Sequence, residues 1–223
     1  MKRVTVIVLV ALVILVTTVG SLGAQETALN TVRFTNNTGF EIAFLFFSPG
    51  DSDYWGPDLL GSEETLRDGE YVEFFVHYPD GCGSFDFMAI DIDGDAYLIW
   101  DYQVCDGRAE NVRVTLDAFS GPAPEMTYVE LRLVNELPLD IYYLFLSPGD
   151  SRMWGADYLS SAGLLAEGRV SSFLLPAMEE SVVYDVIAVD QESDLYSFSV
   201  EIDAGRESYQ YSIEMGDLQE VGG

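Results

Sequence analysis

Lysine is almost missing from this chain of 223 residues, with Lys2 its only representative. Histidine is reduced to His77, and cysteine to Cys82 and Cys105. Beyond the N-terminal segment no apolar run approaches the roughly 20 residues that a membrane-spanning helix requires, and no stretch sustains the 3.6-residue period of an amphipathic helix. Each scarcity excludes something. With 10 Lys and Arg against 38 Asp and Glu, a formal net charge of −28, the chain cannot neutralise phosphates, so nucleic acid is excluded as a natural partner and anionic lipid surfaces are disfavoured. The lone His77 cannot supply a duplicated histidine-based triad or a histidine-rich metal centre. Nucleophile elbow, phosphate loop and dinucleotide fingerprint are all missing. Carboxylate pairs, the raw material of a glycosidase, carry no information among 38 acids. The expectation is a protein that is not an enzyme.

The chain does have apolar material. Hydrophobic residues make up 48% and aromatic residues 13%, far from the composition of disorder. Lys2 and Arg3, the apolar stretch Val4 to Val19 and the small residues Ser21 to Ala24 form an export signal with cleavage expected after residue 24. The product is expected to be periplasmic or extracellular, with no transmembrane segment once the signal is removed. A surface this acidic and free of lysine suits a saline medium, where counterions screen self-repulsion.

The sequence also matches itself. Displaced by 99 positions it aligns without a gap from about Val32 to Tyr97, and the loop Ser48 to Leu60 returns as Ser147 to Leu159 with nine of thirteen positions identical. Apolar alternation with turn residues about every eight to twelve positions reads as an all-β fold. The expected architecture is two tandem antiparallel β-sandwich (Ig-like) domains arising from an internal duplication. Signal peptide 1–24, repeat 25–118, linker 119–126, repeat 127–215 and flexible tail 216–223 are the expected boundaries. A group present in one copy alone is not required by the shared fold.

Asp93-Gly94 favours a tight two-residue hairpin turn. That register sets Phe85 opposite Tyr102, Phe87 opposite Trp100 and Ala89 opposite Leu98 on an inner face, and brings Cys82 opposite Cys105 at the open end. A disulfide there is geometrically reasonable in an exported chain. The same register places Asp86 directly opposite Asp101, a repulsive pair unless a cation or a register shift intervenes.

Two sets of residues are candidates for a site. Trp55 and Asp58, with their counterparts Trp154 and Asp157, could form a ligand platform, since exposed Trp stacks on sugar rings or partner side chains. The plainer expectation is that the tryptophans turn inward to plug the open end of each sandwich while the aspartates cap a short turn. Asp91, Asp93 and Asp95 offer hard oxygens on a turn and invite Ca²⁺ as a cofactor. The EF-hand match is poor, however, because Gly94 precedes the third acid and Tyr102 stands where a Glu is needed.

The pattern Asn36, Ser48-Pro49, Ser52, Trp55-Gly56, Asp58-Leu59-Leu60, Gly69, Cys82 and Cys105 resembles an uncharacterised family of small exported bacterial β domains carrying an SPxxSxxWGxDLL-type loop. The second copy departs from it by lacking both cysteines. The resemblance implies export and a β domain, and no activity. The functional expectation is a non-enzymatic exported envelope or extracellular protein with a structural or ligand-binding role. Its alternative is a carbohydrate-binding or calcium-assisted adhesion module, whose partner is an envelope protein or glycan.

Overall fold

The computed structural model describes residues 29–61, 64–78, 81–105, 108–160, 163–177 and 181–219. The expected signal peptide lies outside them. So do residues 220–223 of the expected tail.

The fold is all-β. The first half contributes β1 (Asn30–Asn37), β2 (Ile42–Pro49), β3 (Tyr71–His77), β4 (Cys82–Asp91), β5 (Asp95–Cys105), β6 (Glu110–Thr115) and β7 (Phe119–Pro122). The second contributes β8 (Thr127–Asn135), β9 (Ile141–Pro148), β10 (Gly155–Ala156), β11 (Val170–Ala177), β12 (Val182–Asp190), β13 (Leu195–Ile202) and β14 (Ser208–Ile213). They form four sheets in the orders β10-β3-β1-β6, β2-β4-β5-β7, β11-β8-β14 and β13-β12-β9.

Pairings in the first half return in the second. Thr31 faces Phe75 as Glu130 faces Leu174, and Phe46 faces Met88 as Phe145 faces Ile187. Alternating side chains from the two sheets of each half meet in a β-sandwich-like core, with burial alternating along β1 and β8 as a half-buried strand requires. Phe34, Phe47, Phe85, Phe87 and Tyr97 fill the first core; Leu131, Leu133, Leu144, Tyr184 and Val186 are among those filling the second. Buried Asn36 and Asn135 hold equivalent loops: each amide donates to two backbone carbonyls, of Phe40 and Leu66 in one half and of Leu139 and Leu165 in the other.

The segment expected to be a linker begins with a strand. Phe119 to Pro122 pair with the edge of β5, setting Phe119 opposite Tyr97. In the second half Leu218 bridges Tyr196, and the Gln219 nitrogen donates to the Leu195 carbonyl at 2.8 Å. Leu218 and Gln219 are therefore bound to β13 instead of frayed. Phe119 follows the 3₁₀ turn Leu116–Ala118 as Leu218 follows the turn Met215–Asp217, and both segments cover edges that would otherwise present unpaired backbone groups.

The hairpin of β4 and β5 corrects the expected register. Cys82 and Cys105 pair and form a disulfide, and Phe85 faces Tyr102 as expected. Beyond Asp86 the register slips by one, so that Phe87 faces Ile99 and Ala89 faces Tyr97. The extra residue is Asp101, at φ +54°. Its backbone nitrogen donates to Asp86 Oδ1 at 2.7 Å. The slip thus converts the repulsive Asp86/Asp101 pairing into a hydrogen bond, and it lengthens the turn to three residues with Gly94 at φ +85°.

Candidate functional site

The matching loops, Ser48 to Leu60 and Ser147 to Leu159, pack Leu59, Leu60 and Leu159 on the core of their own half but also reach beyond it. Each docks on the opposite half in the same way. From the first half, the Asp58 nitrogen donates to the carbonyl of Leu174 on β11 at 2.8 Å; from the second, the Asp157 nitrogen donates to the carbonyl of Phe75 on β3 at 2.8 Å. On their other side both residues bridge back to their own strand, Asp58 to Phe46 and Asp157 to Phe145. Each loop is thus a short splice between an edge strand of one half and an edge strand of the other. At the turn of the loops, Ser52 Oγ donates to Asp150 Oδ1 and Ser151 Oγ donates to Asp51 Oδ1, both at 2.7 Å. Tyr54 packs on the core of the second half, and Met153 on that of the first. Tyr158 and Tyr184 complete the clasp, their hydroxyls donating to the carbonyls of Pro57 at 3.1 Å and Trp55 at 3.0 Å.

Asp58 and Asp157 are consumed by this splice. Oδ1 of each accepts from the strand behind it, Leu45 or Leu144, and from the residue two ahead, Leu60 or Leu159. Ser160 also donates to Asp157 Oδ2. Asp58 has Gly61 at the corresponding place, and its Oδ2 is buried without a partner. Burial pushes the Asp58 carboxyl up to about 7 against the backbone hydrogen bonds that lower it, and raises that of Asp157 as well. These carboxyls serve the splice rather than a ligand.

Asp91 is likewise used locally. Its Oδ1 accepts from the nitrogens of Asp93 and Asp95, and its Oδ2 from the Tyr97 hydroxyl. Asp190 makes the same three bonds with Glu192, Asp194 and Tyr196. The alternating acids are therefore accounted for by an aspartate that caps its own turn. Among the described residues no group of three or more His, Cys, Asp or Glu is placed to hold a metal ion.

The tryptophans are half-buried and lie outside both main cores, which differs from inward plugging. Trp55 rests on a third cluster formed by Phe46, Met88 and Ile90, residues that alternate with the core-facing ones of β2 and β4. Trp154 lies 4.0 Å from the ring of His77, in the other half, and 5.5 Å from Phe145. The two environments diverge further at one point. Trp55 stands 5.6 Å from Trp100, which is 57% exposed. Sequence reasoning placed Trp100 on the inner face opposite Phe87. The bulge at Asp101 removes it from that position, and Ser199 occupies the corresponding place in the second half, whose hairpin has no bulge. The legible signal was the Asp86/Asp101 conflict, which already required a register shift.

Ser52, Asp53, Trp55, Asp86 and Trp100 are among the residues lining a recess of about 70 Å³. Asp86 is 8% exposed, and burial raises its carboxyl above the ordinary range, opposed by the hydrogen bond from the Asp101 nitrogen. The Asp53 nitrogen donates to Asp150 Oδ2 at 2.9 Å, so the clasp fixes this wall of the recess.

No protein-family profile and no curated protein matches the chain. Among solved structures it is similar to the Bacillus anthracis TIE protein, at 13% identity and a TM-score of 0.28, over 84% of this chain and 34% of that one. The chain thus spans about a third of that protein's length. It is also similar to an adhesin candidate from Bacteroides ovatus, at 9% identity and a TM-score of 0.22, over 87% of this chain and 93% of that one. A third likeness is to a CBM26 carbohydrate-binding module from Eubacterium rectale solved with maltoheptaose, at 10% identity and a TM-score of 0.21, over 82% and 90%. At these scores none of the three assigns a function, which is left to the chemistry of the site.

Proposed function

We propose that this is an exported, non-enzymatic protein of two duplicated, Ig-like β-sandwich repeats, locked into one body by their crossed loops, with a ligand-binding role at the rim of the first repeat. The observation that carries the reading is Trp100. A large aromatic side chain at 57% exposure forgoes burial worth about 2 to 3 kcal/mol, and it stands beside a bulge with a non-glycine residue at φ +54°. The second repeat builds the same hairpin without either feature, so the fold does not need them. Bulges commonly re-aim a side chain at a functional position. Export is supported by the N-terminal sequence and by the Cys82–Cys105 disulfide, which belongs to an oxidising compartment. Periplasm and extracellular space both meet that condition.

The test is tryptophan fluorescence and thermal shift of the mature protein against a panel of glycans, small organic ions and Ca²⁺, in parallel with Trp100→Ala. A ligand response lost in Trp100→Ala with unchanged melting supports the reading. A response that survives the substitution places the site elsewhere.

A further inference from the structure

We infer that the recess between Trp55 and Trp100 binds an organic ammonium group, of the trimethylammonium or methylated-lysine kind; the inference rests on the ligand-binding role proposed above and names its ligand class. Three observations converge on it.

The first is the shape of the aromatic wall. The two indole rings are inclined at 37° with centroids 5.6 Å apart, so they adjoin each other and form one bent aromatic wall. A compact cation seated against such a wall meets the negative side of both ring quadrupoles at once. The recess volume of about 70 Å³ suits a small head group rather than a saccharide chain.

The second is charge. Asp53 and Asp86 line the same recess, and Asp51, Asp101 and Asp150 stand on the loops and strand that build it. Among the described residues the one ion pair is Arg33 with Glu73, on the other sheet of the first half. Neither lining acid has an internal counter-ion, in a chain of formal charge −28. A site of this sign repels carboxylates and phosphates and concentrates cations. Desolvation by two indoles penalises a compact hydrated metal ion much more than a methylated ammonium.

The third is the second repeat, which supplies an internal comparison. At the positions of Asp53 and Trp100 it has Arg152 and Ser199, and Ser199 Oγ donates to Asp185 Oδ1, the counterpart of Asp86, at 2.7 Å. There an aromatic wall is lost and a cation replaces an acid, while Asp185 accepts from a side-chain hydroxyl where Asp86 accepts from the Asp101 nitrogen. The loop, strand and core are kept, and what differs is the set of groups an ammonium would need.

The experiment is a fluorescence and calorimetric titration of the disulfide-intact protein with tetramethylammonium and choline at constant ionic strength. 3,3-Dimethylbutanol serves as the uncharged isostere of choline, and a glycan panel is run alongside. The expected result is saturable quenching by both cations and at least tenfold weaker binding of the isostere. Trp100→Ala and Asp86→Asn should each weaken choline at least tenfold, with Trp100→Phe retaining part of the affinity. Equal binding of choline and its isostere would overturn the cation inference in favour of a merely apolar pocket. Binding of a glycan but of neither cation, lost in Trp100→Ala, would overturn the ligand class and leave the binding role standing. Silence from every ligand, with the parent fully folded by its melting curve, would overturn both.

Discussion

The backbone nitrogen of Asp157 donates to the carbonyl of Phe75 at 2.8 Å, and Asp58 makes the identical bond to Leu174 from the opposite direction. Two cores that are chemically separate are thereby joined at two edges. Unfolding either half breaks the splice on the other, so denaturation should be a single transition, whether read by Trp fluorescence or by far-UV circular dichroism. Gly56 is the most sensitive position: a Cβ there would stand 2.5 Å from the Phe47 carbonyl oxygen and 2.9 Å from the Tyr158 hydroxyl. Gly56→Ala should cost about 1 to 3 kcal/mol, the range for overpacking a tight site. Its counterpart Gly155 has room but lies at φ +75°, so Gly155→Ala should cost about 1 to 2 kcal/mol through backbone strain alone. Two resolved transitions in urea, or a neutral Gly56→Ala, would show that the loops do not couple the halves.

Asp58 makes stability depend on pH. Its carboxyl, raised by burial to about 7, binds protons more tightly in the folded chain than the roughly 3.9 of an unfolded aspartate. Its contribution is then fully present below about pH 4 and lost as pH rises through about 7. The loss is on the order of 2 to 4 kcal/mol. Asp58→Asn keeps an oxygen for the Leu45 and Leu60 nitrogens and cannot ionise. Chemical denaturation should find the variant more stable than the parent at pH 8, with the advantage shrinking toward pH 5 and gone below about pH 4. A constant difference across that interval would rule out the titration.

The strands were legible because period-2 burial is written in the side chains, and the 99-residue offset was legible because the loop is nearly copied. The crossing of the loops was not. Alternation says which face of a strand is buried, but it does not say whose edge the Asp58 or Asp157 nitrogen reaches, since an intra-repeat and an inter-repeat bond need the same residues. The hairpin register was correct from Cys82 to Phe85 and failed beyond it, because the turn capped by Asp91 holds three residues, as the turn capped by Asp190 does in the second half, and the bulge at Asp101 makes up the difference. Trp100 was assigned to the wrong face for that reason. Trp55 was identified as important, but its neighbour could not be found without the bulge.

Reducing the Cys82–Cys105 bridge, which spans 23 positions, should destabilise the protein by about 3 kcal/mol, as expected for a loop of this length. The second half closes the equivalent hairpin without cysteines, so the reduced protein should still fold. Denaturation with and without reductant measures the loss. Failure to fold when reduced would mean that the bridge defines the hairpin instead of bracing it.

At a formal charge of −28, self-repulsion should weaken the fold in dilute buffer, where the Debye length is about 30 Å, and far less at 1 M salt, where it is about 3 Å. The melting temperature is expected to rise with NaCl at fixed pH. A flat profile would leave the acidic surface without a role in stability.

The three tryptophans separate packing from binding. Trp55 rests on Phe46, Met88 and Ile90, and Trp154 on His77 and Phe145, so truncation to Ala removes contacts that are partly buried. Each should cost about 1.5 to 3 kcal/mol, below the 3 to 5 of a fully buried aromatic. Trp100, exposed on the other side of the recess, should cost less than about 0.5 kcal/mol, as surface substitutions do. Emission should follow the same order, with Trp100 red-shifted and readily quenched by acrylamide and the other two shielded. If Trp100→Ala instead destabilised the protein as much as Trp55→Ala, the exposed indole would be a packing residue, and the bulge at Asp101 would exist to seat it rather than to present it.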